Sequence, residues 1–170
     1  ISRARGIKEM LQSVGRLNGK AQLWILGKWD DSELWNECNR MQEWQHARYF
    51  GLKRTAATYS YLKVANVGLH ILYNLPHYKG GFATKAFEYM ACSIPFIVTD
   101  NPRNRESYGD CALYVNPMDV NDITEKMIKL LNNEKIRKEM GQRGRHLAET
   151  QYSWEIESKK LIDLYKYILM

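Results

Sequence analysis

The sequence predicts an α/β fold, a Rossmann-like doubly wound parallel sheet. Three observations carry that expectation. Short, largely apolar runs recur at residues 21–26, 47–50, 67–73, 95–99 and 113–115. Segments with helical spacing of apolar residues separate them. Gly27 and Gly51 close the first two runs, as a strand does when it hands the chain to a ligand-facing loop. Strands alternating with helices make a parallel sheet covered on both faces, which binds ligands at the carboxyl ends of its strands.

Each element has its own reason. Ile7, Met10, Leu11, Val14 and Leu17 recur at helical spacing, and Asn18-Gly19 ends that helix. Residues 21–26 read as a buried strand. Asp30, Asp31 or Ser32 caps a second helix with Leu34, Cys38 and Met41 on one face. Residues 47–50 read as a strand, 55–64 as a short helix and 67–73 as a third strand. The loop of residues 74–81 then leads into a helix over 82–93, with Phe87, Met90 and Ala91 inward. The uncharged run at 95–99 and the shorter 113–115 are the last strands. From Asp119 the chain is helical: one helix carries Ile123, Met127, Leu130 and Leu131, and another starts near Glu134. Ser153 caps a last helix over 153–170, with Trp154, Leu161, Leu164, Tyr165 and Ile168 as its apolar stripe. A doubly wound unit begins with a strand, yet this chain opens at a helix, so the first strand is expected upstream of residue 1.

The 170 residues fit one domain, and a hydrophobic fraction of 45% excludes wholesale disorder. No run approaches the length of a membrane span, and residues 1–6 hold no signal-peptide core. Cys38, Cys92 and Cys111 lack metal spacing and are odd in number, so they read as reduced thiols of a cytoplasmic protein. The 25 Lys and Arg exceed the 19 Asp and Glu, a net +6 that suits an anionic partner such as a nucleotide, nucleic acid or membrane surface.

The segment that carries chemistry is Gly80-Gly81-Phe82-Ala83-Thr84-Lys85-Ala86-Phe87-Glu88-Tyr89-Met90-Ala91. Two glycines let the backbone approach a ligand, and the helix that follows turns free N–H groups and its positive dipole end to the same spot. Lys85 in the first turn opposes that dipole, a cost that a bound anion would offset. Glu88 lies at i+3 and faces the same way. Together they suit a phosphate (Lys85) and a ribose diol (Glu88); a plain surface pair beside a turn explains the spacing equally well.

The run from Thr84 to Asp100, TKAFEYMACSIPFIVTD, resembles the signature of the family-four retaining glycosyltransferases of GT-B fold. Arg5-Gly6-Ile7 before a helix, the strand-plus-glycine units ending at Gly27 and Gly51, residues 113–117 and Ser153-Trp154-Glu155 resemble further parts of that family. The resemblance spans nearly all the chain but only the C-terminal, donor-binding half of such an enzyme. It implies one nucleotide-sugar-binding domain over residues 1–170, with the acceptor domain outside this chain. It implies a metal-free, cofactor-free transfer from a nucleoside-diphosphate sugar to a glycan or lipid-linked acceptor, as in polysaccharide biosynthesis. Glu88 matches the glutamate that holds the donor ribose, and Arg5 the basic residue on the diphosphate. Lys85 faces the same phosphates, and amides near Ala83 and Thr84 contact the diphosphate or sugar. The implied donor site is therefore Arg5, Gly80, Gly81, Ala83, Thr84, Lys85 and Glu88, with Lys85 and Glu88 as its catalytic members. The family's other glutamate falls on Gly80, so this sequence departs from the pattern there.

Other residues read more plainly. His70 is a core histidine, His77 a loop histidine, and His46 and His146 lie at the surface. Arg103, Arg105 and Glu106 read as an ordinary loop at the ligand edge, and Lys53 and Arg54 as a solvated turn. Lys135, Arg137, Lys138, Arg143 and Arg145 could meet nucleic acid or anionic lipid at the cytoplasmic membrane face, but Glu134 and Glu139 interrupt them, so a solvated helix face is expected. The five tryptophans read as packing residues. Two other functions fit the bulk properties. A basic nucleic-acid-binding module would need the interleaved basic and aromatic motif that is absent here, and a GT-B nucleotide-sugar epimerase would need no acceptor.

Overall fold

The computed structural model describes residues 1–75 and 84–169. The chain begins with a 3-10 turn (Arg3–Arg5) and α1 (Ile7–Gly15), followed by β1 (Leu23–Ile25), α2 (Ser32–Arg40), β2 (Ala47–Tyr49), α3 (Thr55–Leu62) and β3 (Gly68–His70). It continues through α4 (Thr84–Ala91), β4 (Phe96–Thr99), α5 (Pro102–Tyr108), β5 (Ala112–Val115), α6 (Val120–Leu131), α7 (Glu134–Gln151) and α8 (Trp154–Leu169). Among the described residues every strand pairing is parallel, and the strands form two pieces, β1–β2 and β3–β4–β5. The expected α/β Rossmann-like fold is what the chain adopts.

Two apolar clusters hold these layers. Leu11 and Val14 of α1, Leu34 and Cys38 of α2, and Ile123 and Leu130 of α6 close one cluster together with Ile97 of β4. Ala86 and Met90 of α4, Phe96 and Val98 of β4, and Tyr108 form the other. All four residues of β4 are buried, so one uncharged strand feeds both clusters from opposite faces.

Side chains start the helices. Asp31 caps α2, accepting from the Glu33 N–H at 2.8 Å, and Asp119 caps α6, accepting from Asn121 at 2.8 Å. The segment read as a loop after β4 is a helix. Asn101 caps it, accepting from the Asn104 N–H at 2.8 Å, and Pro102 holds the first position. Asn-Pro was legible as an N-cap and N1 pair, but the segment has no apolar stripe to announce a helix. Arg105 turns back onto Asp100 at 2.6 and 2.7 Å and lies over the Tyr114 ring.

The basic cluster of α7 is not merely a solvated face. Arg137 donates to the Leu130 and Leu131 carbonyls at 2.6 and 2.8 Å, Arg145 donates to the Ala91 carbonyl, and Arg143 to that of Asp110. The carbonyls at the ends of α6 and α4 lack helical partners, and a cation there also meets the negative dipole end. The tryptophans divide. Trp29, Trp35 and Trp44 pack on one another and on Tyr49, whereas Trp24 is 38% exposed and Trp154 69%. The last helix forms as expected, but its apolar stripe lies open to solvent.

Candidate functional site

The site lies at the carboxyl ends of the strands, where the N-terminal segment meets the end of β3 and the start of α4. Gly6 makes the first of these meetings possible. Its φ of +60° is left-handed, and a Cβ there would sit 2.6 Å from the Ile71 Cγ2. Only glycine can take that backbone and that approach together. The chain then reverses from the 3-10 turn into α1, and the Tyr73 N–H donates to the Ala4 carbonyl at 2.8 Å. The Tyr73 hydroxyl donates to Glu9 of α1 at 2.6 Å, which fixes the segment after β3 against the same helix.

Neighbouring arginines are sorted by their partners. Arg3 makes a two-pronged pair with Glu37 of α2, both contacts at 2.8 Å, and Lys8 joins the same carboxylate. The two cations hold the Glu37 carboxyl down to about 2. Arg5 turns instead toward a cavity of about 560 Å³ that Lys85 and Glu88 also line.

Lys85 sits in the first described turn of α4, half-buried, and its ammonium is pushed down to about 8. Burial is the main cause and the Arg5 charge the next; Glu88 acts the other way but does not compensate. An amine held in this state is a cation short of a counter-anion. Thr84, one residue earlier, is exposed at the helix start. The structure therefore brings Arg5, Lys85 and Glu88 to one cavity. Gly80, Gly81 and Ala83, and with them His77, lie outside the described residues.

His70 belongs to this neighbourhood as well as to the core. It ends β3, is 6% exposed, and is pushed down to about 3 by burial and by the charges of Lys85 and Arg5. The sequence marks it as a core histidine, as its burial shows, but not as a neighbour of Lys85 and Arg5. The available signal was its position, a polar residue at the carboxyl end of a strand that leads into the ligand loop. Thr99 was not singled out either: its hydroxyl accepts from the Leu72 N–H at 2.8 Å and donates to the Leu72 carbonyl at 2.7 Å. That exchange continues the β3–β4 pairing by a side chain and steadies the floor of the site.

Two parallel sheet pieces flanked by helices, with Arg5 and Lys85 lining one cavity, define a Rossmann-like α/β domain. The chain belongs to the glycosyl transferases group 1 family, whose profile matches residues 1–147. It is similar to the capsular polysaccharide biosynthesis glycosyltransferase CapM of Staphylococcus aureus, 25% identical over 99% of this chain and 44% of that protein. It is also similar to the O-antigen chain mannosyltransferase B of Escherichia coli, 26% identical over 82% of this chain and 35% of that one. The chain thus spans less than half the length of these curated relatives. Among solved structures it superposes on sucrose-phosphate synthase from Thermosynechococcus elongatus with a TM-score of 0.86 at 20% identity, covering 99% of this chain and 43% of that one. HepE of Anabaena in complex with UDP-glucose gives 0.82 at 11% identity, covering 98% and 46%. The fold is the Rossmann-like half of the GT-B architecture. Among the described residues no helix is long and apolar enough to cross a membrane.

Proposed function

We propose that this chain is the donor-binding domain of a retaining glycosyltransferase. The bound donor is a nucleoside-diphosphate sugar, and the acceptor is a glycan or a lipid-linked sugar held mainly by residues outside this chain. The carrying observation is the convergence of Arg5, Lys85 and Glu88 on one cavity, with Lys85 desolvated beside a second cation. In this reading Arg5 and Lys85 hold the diphosphate, amides near Ala83 and Thr84 join them, and Glu88 accepts from the ribose hydroxyls. The solved HepE complex with UDP-glucose supports the choice of ligand by likeness of fold. The relatives in capsule and O-antigen assembly favour surface polysaccharide as the product.

The chemistry follows from charge. As the glycosidic bond breaks, the departing diphosphate gains negative charge. Arg5, Lys85 and the α4 amides are placed to stabilise that charge more in the transition state than in the bound donor, and that difference accelerates transfer.

Calorimetric titration with UDP, GDP and ADP tests it, with Glu88→Ala alongside. One diphosphate should bind, and the substitution should weaken it about tenfold through loss of charge-assisted hydrogen bonds to the ribose. No binding of any diphosphate to the folded chain, or binding indifferent to Glu88, would overturn the assignment.

A further inference from the structure

A second hollow, of about 540 Å³, opens at the carboxyl ends of β1 and β2. Trp29, Trp35 and Tyr49 line it together with Lys28, Asp30 and Asp31. None of these residues lines the cavity of Arg5, Lys85 and Glu88. Its volume falls in the range of small-molecule sites, about 300–1,000 Å³, and its make-up is theirs too, aromatic walls with a few polar groups.

The walls are held in place. Tyr49 ends β2 in register with Ile25 of β1, and its hydroxyl donates to the Gly27 carbonyl at 2.9 Å. That bond ties the two strand ends together behind the ring. Trp35 of α2 meets Trp29 at 5.2 Å, Trp44 at 5.3 Å and Tyr49 at 5.4 Å between ring centroids. The pairs are T-shaped or tilted rather than stacked, so the ring faces are not closed against one another. All four rings are half-buried, whereas Leu34 and Cys38 of the cluster behind them are fully buried. The core therefore consumes only part of this aromatic surface.

The polar groups at the rim are mainly acceptors. Asp31 spends one carboxylate oxygen on the Glu33 N–H at 2.8 Å, as the cap of α2, and this holds the carboxylate still. Asp30 is exposed beside it and receives the Ile1 amine at 3.4 Å. The Trp29 indole N–H is buried and has no acceptor among the described residues, which costs stability until something accepts from it. Two carboxylates against one ammonium make the hollow acidic. That charge disfavours a phosphate and suits a ligand that donates hydroxyl hydrogens.

We infer that the hollow binds a hexopyranose ring of a neutral glycan. A pyranose carries apolar C–H faces and a rim of hydroxyls. The C–H faces lie on the indole and phenol rings, the rim hydroxyls donate to Asp30 and Asp31, and a hydroxyl oxygen can accept from the Trp29 N–H. The assignment does not rest on the donor reading, because it uses other residues.

The test is titration of the chain with maltotriose, mannotriose and galactotriose, read by tryptophan fluorescence and by saturation-transfer NMR with irradiation of the aromatic protons. At least one trisaccharide should bind in the millimolar range and take up saturation on its ring C–H protons. Trp35→Ala should weaken that binding at least about tenfold, through loss of the aromatic platform. Asp31→Asn keeps the cap of α2, since asparagine caps as well as aspartate, but sets an amide donor where a carboxylate accepted. It should fold with an unchanged Tm and weaken binding about tenfold. Glu88→Ala should leave glycan binding as it is, and glycan binding without diphosphate binding would sustain the hollow while removing the donor reading. No binding of any trisaccharide to the folded parent chain, or binding indifferent to both Trp35→Ala and Asp31→Asn, would overturn the assignment. Displacement of the trisaccharide by uridine, guanosine or adenosine would overturn it too, by giving the hollow to a nucleobase.

Discussion

At the scale of single residues, Lys85 illustrates a group held at a cost. Its ammonium is pushed from 10.5 down to about 8, so the folded chain disfavours the charged form by an amount on the order of 1–3 kcal/mol near neutrality. The sign follows from linkage. Above pH 8 the unfolded state binds this proton and the folded state does not, so this group's contribution to stability rises with pH between about 8 and 10.5. Lys85→Met should therefore raise the Tm of the free chain while weakening the diphosphate at least tenfold, and both are read by thermal melts with and without ligand. Affinity in the parent chain should fall as pH rises through about 8, because the neutral amine no longer pairs with the phosphates. Lys85→Arg, charged throughout, should remove that pH limb. A destabilised Met variant with unchanged affinity would make Lys85 a structural residue. Ser93 is a second strained position. It sits at φ +56° directly after α4, a backbone that costs a side-chain-bearing residue roughly 1–2 kcal/mol. Ser93→Gly should stabilise the chain by about 1 kcal/mol, measured as a shift in the urea midpoint at constant m.

At the scale of elements, the crossing of α4 and α7 is set by small residues. A Cβ on Gly141 would lie 2.1 Å from the Ser93 carbonyl oxygen, a backbone atom that cannot rotate away, and Gly144 faces Met90 at van der Waals distance. Gly141→Ala should cost more than 2 kcal/mol despite alanine's better helix propensity, whereas Gly109→Ala, where nothing lies within 4 Å, should cost only its left-handed φ of +46°. Chemical denaturation of the two variants decides this. The contrast also marks what the sequence could say. The periodicity of Ile7, Leu11 and Val14, and of Ile123, Met127 and Leu130, was legible because those stripes enter a core. The glycines of α7 carry no such signal, since a glycine that permits close packing reads like one that merely weakens a helix. The stripe of α8 was legible as helix but not as exposed, because periodicity reports a face and not what covers it. In the candidate site, spacing beside a glycine pair left Lys85 and Glu88 open between a ligand pair and a surface pair, and the resemblance singled them out. Arg5 was legible only by resemblance, since its approach depends on Gly6 folding against Ile71, a contact across 65 residues. His70 and Thr99 were hidden because a polar residue inside a strand looks the same whether it serves the core or the edge of a site.

At the scale of the whole molecule, the proposed donor-side cations Arg5 and Lys85 lie in one domain, and the proposal places the acceptor mainly on residues outside this chain. Transfer requires the acceptor hydroxyl within about 3–3.5 Å of the anomeric carbon in an aligned pose, and orientation of that kind can supply about 7–11 kcal/mol of the barrier. In the proposed reading, stabilisation of the leaving diphosphate by Arg5, Lys85 and the α4 amides would not replace that term, because without a held acceptor only water can attack. The relatives in capsule and O-antigen assembly are more than twice the length of the segment they share with this chain. The 170-residue chain is therefore expected to bind its nucleoside diphosphate and to turn over its sugar donor no faster than buffer, with or without glycan acceptors. Release of nucleoside diphosphate, followed by a coupled assay, is the measurement. Binding without turnover would separate the two contributions and assign the missing one to acceptor positioning. Turnover above background that depends on an added acceptor would show instead that this domain alone gathers both substrates, and the acceptor contacts would then have to be sought among its own exposed residues at the carboxyl edge of the sheet.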